Sequence, residues 1–135
     1  MKWYNADNQF CFVRCINGVL DNEQIARAEE LIVLAKETVA GYAHRYANEI
    51  VKKYKPHAIV LFGSYVNGSP HEYSDIDIAV VFNGFNGDWL AVSKDFWRIS
   101  EGISLDIEPH LMDTTKDPSG FTEYVMRTGN VIYQA

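Results

Sequence analysis

The chain has 135 residues and carries 12 Lys and Arg against 18 Asp and Glu, a formal net charge of −6. A composition of 47% apolar, 13% aromatic and 22% charged residues excludes a disordered tail, a collagenous repeat and a low-complexity linker, which lack core-forming side chains. A chain of this size buries a core as one domain, 1–135.

The charge is uneven. Residues 1–57 hold eight basic and seven acidic side chains, whereas residues 58–135 hold four basic and eleven acidic, a local charge near −7. Such a field repels phosphate chains unless cations intervene, so direct DNA binding is not expected and any nucleotide partner calls for a metal. Cys11 and Cys15 are spaced C-x-x-x-C without a nearby His or third Cys, which matches neither a zinc site nor a CxxC redox motif. No apolar run approaches the roughly 18 residues of a membrane span, and no signal-peptide pattern opens the chain. The expectation is a soluble, cytoplasmic protein with free thiols.

In chain order, residues 1–20 give no clear element, although Phe10, Phe12 and Val13 hint at a short strand. From Asp21, which has capping-box spacing with Gln24, apolar residues Ile25, Ala28, Ile32, Ala35, Val39, Tyr42 and Tyr46 recur at three and four residues. This predicts a long amphipathic helix over 21–54, with Gly41 as a point of bending and Pro56 as the stop. Ala58–Phe62 reads as a buried strand and Asp75–Phe82 as a second. The short connection between them, with Gly63, Gly68 and Pro70, sits near the lower limit for a parallel crossover and favours a mixed sheet. A helix is predicted over Asp88–Ser100, with Trp89, Val92, Phe96 and Ile99 on one face, and a third strand over Ser104–Met112. Asp117 and Pro118 suggest the N-cap and first position of a helix over 117–129, ended by Gly129; Val131, Ile132 and Tyr133 then form an edge strand or cover the core. The fold class is α/β (α+β): a mixed β-sheet flanked by helices, with a core over 58–112.

The informative stretch runs from Leu61 to Val81. Gly63 and Ser64 follow a strand and open a short helix, where free backbone N–H groups hold phosphate, and Gly68 permits a tight turn. Asp75 and Asp77, at i and i+2 on a strand, point to one face. At an effective dielectric of ~20 and a separation of ~6 Å their repulsion is roughly 3 kcal/mol, which a bridging cation removes. Hard oxygen ligands suit Mg²⁺ or Mn²⁺. On the third strand Asp106 and Glu108 again share a face, and either can supply the further carboxylate that two-metal chemistry needs.

The pattern G-S-x-x-x-G followed by S-D-x-D, here Gly63, Ser64, Gly68, Ser74, Asp75 and Asp77, resembles the minimal nucleotidyltransferases of the DNA polymerase β superfamily. The resemblance implies the nucleotidyltransferase fold and transfer of a nucleoside monophosphate, AMP from ATP, to a hydroxyl with release of pyrophosphate and a requirement for Mg²⁺. It makes Gly63 and Ser64 the triphosphate contact, with Gly68 and Ser74 completing the motif, and Asp75 and Asp77 the metal ligands. The run Ile107–His110 (I-E-P-H) resembles a variant in small members, which favours Glu108 as third ligand, with Asp106 as the alternative. Where many relatives carry a basic residue between the two glycines, this chain has Tyr65, Val66 and Asn67. That departure motivates a second reading, a non-catalytic nucleotide-binding or partner-masking module with the same fold. Members of this kind pair with a helical HEPN-type protein in toxin–antitoxin modules, so the expected acceptor is a separate protein; a homodimer through the long helix is a further option.

Other polar residues are given plainer roles. His71 reads as a solvated loop residue and His110 as a capping or surface residue. Lys94 and Arg98, although four apart on a helix and within conceivable reach of pyrophosphate, read as solvent-exposed. Trp89 and Trp97 read as packing residues.

Overall fold

The computed structural model describes residues 22–63, 66 and 75–135, and for residues 25 and 28–36 the backbone alone. The hinted strand at Phe10–Val13, both cysteines, the Asp21 cap and His71 therefore lie outside the described residues, as do the side chains of Ile25, Ala28, Ile32 and Ala35.

Helix α1 (Asn22–Lys53) is followed by β1 (Ala58–Phe62), β2 (Ile76–Phe82), α2 (Trp89–Glu101), β3 (Ile107–Asp113), α3 (Phe121–Thr128) and β4 (Asn130–Gln134). The four strands form one mixed sheet in the order β3-β2-β1-β4. β1 runs antiparallel to both β2 and β4, and β2 runs parallel to β3. The tail is thus an edge strand, and the ten-odd residues between β1 and β2 return the chain without a crossover. The parallel pair is instead β2 with β3, whose connection contains α2, as parallel geometry requires.

Strand alternation sorts the sheet into two faces. On one, Ile59, Leu61, Ile76, Ile78, Val80, Phe82 and Ile107 pack against Val39, Ala43, Tyr46, Ala47 and Ile50 of α1 and Phe96 of α2. Tyr46 is fully buried, and its hydroxyl donates to the Phe96 carbonyl at 3.2 Å. On the other face, Ala58, Val60, Ala79, Val81 and Met112 pack against Val125 of α3. Helix α3 spans only eight residues and packs on this face through Val125.

The largest differences from the sequence reading lie at the starts of β3, β2 and α3. β3 starts at Ile107 instead of Ser104, because residues 102–106 turn: Ile103 and Ser104 N–H groups both donate to the Ser100 carbonyl, and the Ser104 hydroxyl accepts from Asp106 N. β2 starts at Ile76, one residue after Asp75. α3 begins at Phe121, behind a Pro118–Gly120 turn in which Gly120 takes a φ of +74°. Asp117 still caps it from four residues upstream, its carboxylate accepting from Thr122 N and Glu123 N, each at 3.0 Å. The Asp88 cap of α2 forms as expected, with Oδ1 accepting from Ala91 N. Trp89 and Trp97 are not core residues; they are 45% and 44% exposed.

Candidate active site

The site is built where β1 ends and β2 and β3 begin, on the sheet face opposite α1 and α2. In β2, Asp77 alternates with the buried Ile76 and Ile78 and so points to the α3 side. The parallel register sets Asp77 beside Glu108 and Ala79 beside His110. Because β3 alternates in phase with β2, Glu108 and His110 emerge on the same side as Asp77. Pro109, between them, is buried and lies beside Ile78.

Three carboxyl groups converge. Asp75 and Asp77 both stand close enough to Glu108 to act on it as like charges. The proton affinity of Glu108 is raised, chiefly by burial and then by the neighbouring Asp75 and Asp77 carboxylates, against a lowering influence of His110. Asp106 is exposed and stands outside β3; its carbonyl accepts from Ile76 N at 2.7 Å.

His110 belongs to this cluster. Its Nε2 lies 3.2 Å from Asp77 Oδ1 and 3.8 Å from Glu108 Oε1. Its ring meets the Phe62 ring edge-on at 5.1 Å, and Phe62 in turn meets Phe121 at 6.1 Å. A surface role for His110 is therefore corrected to a half-buried one at the carboxylates. The signal was present in the spacing, since positions 108 and 110 share a strand face, but nothing in the sequence shows which neighbour that face meets. One ligand atom each from Asp77, Glu108 and His110 lies within 4.8 Å of the others, a spacing that a metal ion can span. Oxygen and imidazole donors of this kind fit a hard or borderline divalent cation.

Gly63 closes the site from β1. It has a φ of +78°, and a Cβ placed on it would lie 2.2 Å from Asp77 Oδ2. Its carbonyl accepts from Val66 N at 3.0 Å, which starts the turn that follows the strand. Ser64, Gly68 and Ser74 lie outside the described residues.

The described basic residues do not join the carboxylates. Lys53 and Arg98 are held by Asp95, and Lys52 by Glu49. A groove of about 410 Å³ containing Arg45, Lys52 and Arg98 opens between α1 and α2, on the opposite side of the sheet. Arg98 is thus remote from the cluster, in keeping with its exposed reading. Among the described residues, no helix is long and apolar enough to cross a membrane.

No curated protein matches the chain. A crystal structure of a protein assigned as a nucleotidyltransferase from Sulfolobus solfataricus superposes with a TM-score of 0.57, covering 76% of this chain and 86% of that one at 18% identity; at this identity the likeness establishes the fold. The family model described as polymerase beta, nucleotidyltransferase matches residues 46–135, a span that contains the whole sheet, the Gly63 turn and every carboxylate of the cluster. On that match, the chain belongs to the polymerase beta nucleotidyltransferase family.

Proposed function

We propose that the protein is a metal-dependent nucleotidyltransferase that moves a nucleoside monophosphate, AMP from ATP, onto a hydroxyl acceptor and releases pyrophosphate. The observation that carries this reading is the Asp77–Glu108 register of the parallel strand pair. It adds a third carboxylate to a pair already crowded by sequence spacing, directly beside the Gly63 turn.

In this reading Asp75, Asp77 and Glu108 hold the cation, Mg²⁺ or Mn²⁺, and Asp106 is the less favoured third carboxylate because it precedes the strand. A bound divalent cation neutralises triphosphate charge and makes the attacking hydroxyl more acidic. Gly63 and Ser64 offer backbone and hydroxyl donors to the phosphates, with Gly68 and Ser74 entering on the motif alone. Asp77 lies between Gly63 on one side and His110 on the other. Glu108, in register beside Asp77, is the carboxylate assigned here to receive the proton that the acceptor hydroxyl gives up. Positioning and charge neutralisation then supply most of the rate. The resemblance to minimal nucleotidyltransferases supports a helical HEPN-type protein as acceptor, which makes this chain an antitoxin acting in the cytoplasm.

One observation favours the second reading, a nucleotide-binding or partner-masking module without catalysis. No Lys or Arg among the described residues pairs with the carboxylates, so triphosphate charge falls on the metal and on backbone N–H groups. The test is incubation with α-³²P-labelled ATP and Mg²⁺ or Mn²⁺, alone and with lysate of the source cells, beside an Asp75→Asn, Asp77→Asn double variant. Label transferred by the wild type alone is expected. Metal-dependent ATP binding without transfer moves the reading to the module, and the absence of metal-dependent ATP binding removes both nucleotide readings and leaves partner masking.

A further inference from the structure

The acidic ligands of the site are what the family resemblance implies; the imidazole is not. Resting on the metal-dependent reading above, we propose that His110 is a direct ligand of the cation held by Asp77 and Glu108, and that the resulting nitrogen–oxygen donor set makes the site select a transition-metal ion such as Mn²⁺ over Mg²⁺.

The geometry carries the first half. Ligand atoms at about 2.0–2.2 Å from a common ion, at 90° to 120° to each other, lie roughly 2.9–3.8 Å apart. The Nε2–Oδ1 separation of 3.2 Å to Asp77 and the Nε2–Oε1 separation of 3.8 Å to Glu108 both fall in that range. An ordinary N–H···O hydrogen bond from His110 to Asp77 also spans 3.2 Å, so the two roles are separated by the nitrogen coupling tested below. The ring is also held: it meets the Phe62 ring edge-on at 5.1 Å. The fold delivers this without strain, since Glu108 and His110 are alternate residues of one strand and Asp77 is the register partner of the first.

The second half follows from ligand chemistry. Carboxylate and water suit Mg²⁺ and Mn²⁺ alike, whereas imidazole binds later first-row ions better, and affinity rises from Mn²⁺ through the series to Cu²⁺. An all-carboxylate centre is nearly indifferent to the exchange of Mg²⁺ for Mn²⁺; one with an imidazole is not.

Affinity alone would not separate a ligand from a hydrogen-bonding neighbour, because loss of an outer-shell partner also costs about 10–100-fold in metal affinity. The discriminating experiment is pulsed electron paramagnetic resonance of the full chain with one equivalent of Mn²⁺, in wild type, His110→Gln, His110→Ala and Asp77→Asn. His110→Gln keeps an N–H donor towards Asp77 but removes the ring nitrogen. The wild type is expected to show coupling from a directly bonded ¹⁴N, converted to the ¹⁵N pattern by labelled histidine and absent from both His110 variants. Calorimetric titration of the same proteins is expected to show tighter Mn²⁺ than Mg²⁺ binding in wild type and a ratio reduced about tenfold or more in His110→Ala. Bound Mn²⁺ that depends on Asp77 but shows no nitrogen coupling overturns the role of His110 and leaves the metal site intact. Mn²⁺ that fails to bind, or binds equally well to Asp77→Asn, overturns this inference together with the reading beneath it.

Discussion

Gly63 and Asp77 touch so closely that a methyl group on the glycine would lie 2.2 Å from Asp77 Oδ2 and 3.1 Å from its Cγ. The same glycine holds a φ of +78°, which costs an L side chain about 1–2 kcal/mol. Gly63→Ala therefore has two consequences that can be read separately. The backbone term lowers stability by on the order of 1–2 kcal/mol, while the collision turns the Asp77 carboxylate away from Glu108 and His110. Thermal melting is expected to show a modest loss, and Mn²⁺ titration a far larger one. A variant that melts lower but binds the ion normally would show that Asp77 relaxes around the new methyl.

Asp113 ties the far end of the same strand pair to the chain leaving β2. It is 1% exposed, and burial works to raise its proton affinity, yet hydrogen bonds from Phe85 N, from the Thr115 hydroxyl and N–H and from Gly84 N hold it well below the ordinary carboxylate range. A depressed folded value means that the unfolded chain binds the proton first. The contribution to stability is whole above an ordinary Asp value of about 3.9 and is lost as pH falls from there through the folded value. Asp113→Asn is expected to cost on the order of 2 kcal/mol at pH 7, with the gap to wild type shrinking as urea melts are repeated from pH 4 downward. A gap that stays constant with pH would mean that shape, not charge, holds the loop.

The fold was legible where local pattern and tertiary demand agree. Ala58–Phe62 is apolar at every position because both faces of β1 are covered, and Trp89–Glu101 has its Asp88 cap and its Phe96 stripe. Pairing is different, because it belongs to two segments at once. The alternation of Asp75, Asp77, Asp106 and Glu108 states which side chains share a face but not which strands adjoin, so the placement of Glu108 beside Asp77 appears only in the β2–β3 register. His110 escaped for the same reason: it lacks a sequence neighbour to act on, and its partner is 33 residues away. Strand alternation alone lets either Asp106 or Glu108 serve, and it does not foresee that the Ser104 hydroxyl accepts from Asp106 N in a turn ahead of β3. The start of α3 was misplaced because Asp117 caps across an intervening Gly120 turn, a spacing that the usual Asp-Pro signature does not encode.

Far from the site, Asp95 on α2 gathers Lys53, Tyr54 and Arg98. Hydrogen bonds from Lys53 and Tyr54 hold its carboxyl well below the ordinary range, and burial together with the Asp95 bond pushes the Tyr54 hydroxyl up to about 12. The Tyr54 hydroxyl is the strongest candidate link, at 2.5 Å, since Lys53 and Arg98 are exposed and screened. Tyr54→Phe is expected to cost about 1 kcal/mol, with Lys53→Ala nearer zero. Neither change should alter Mn²⁺ binding, because this network lies on the sheet face away from Asp77. Equal melting of both variants with wild type would assign the α1–α2 contact to apolar packing alone.

Glu108 sets site chemistry against stability. Its raised folded value means that the folded chain holds the proton more strongly than the unfolded chain, so stability falls as pH rises above an ordinary Glu value of about 4.3. At neutral pH the metal-free protein thus carries a repulsion that Glu108→Gln relieves. The side chain is 38% exposed, and solvent screening leaves about 1 kcal/mol of the gain, a rise of roughly 4 °C in Tm for a domain of this size. The same variant is expected to lose Mn²⁺ binding and label transfer. Asp106→Asn, which alters a carboxylate outside β3, should leave melting, ion binding and transfer close to wild type. Melting curves with and without Mn²⁺ check both at once: Glu108→Gln should begin higher than wild type and fail to shift with the ion, whereas Asp106→Asn should shift as wild type does. The reverse pattern would transfer the third-ligand role to Asp106 and require the turn at Ser104 to open when the ion binds.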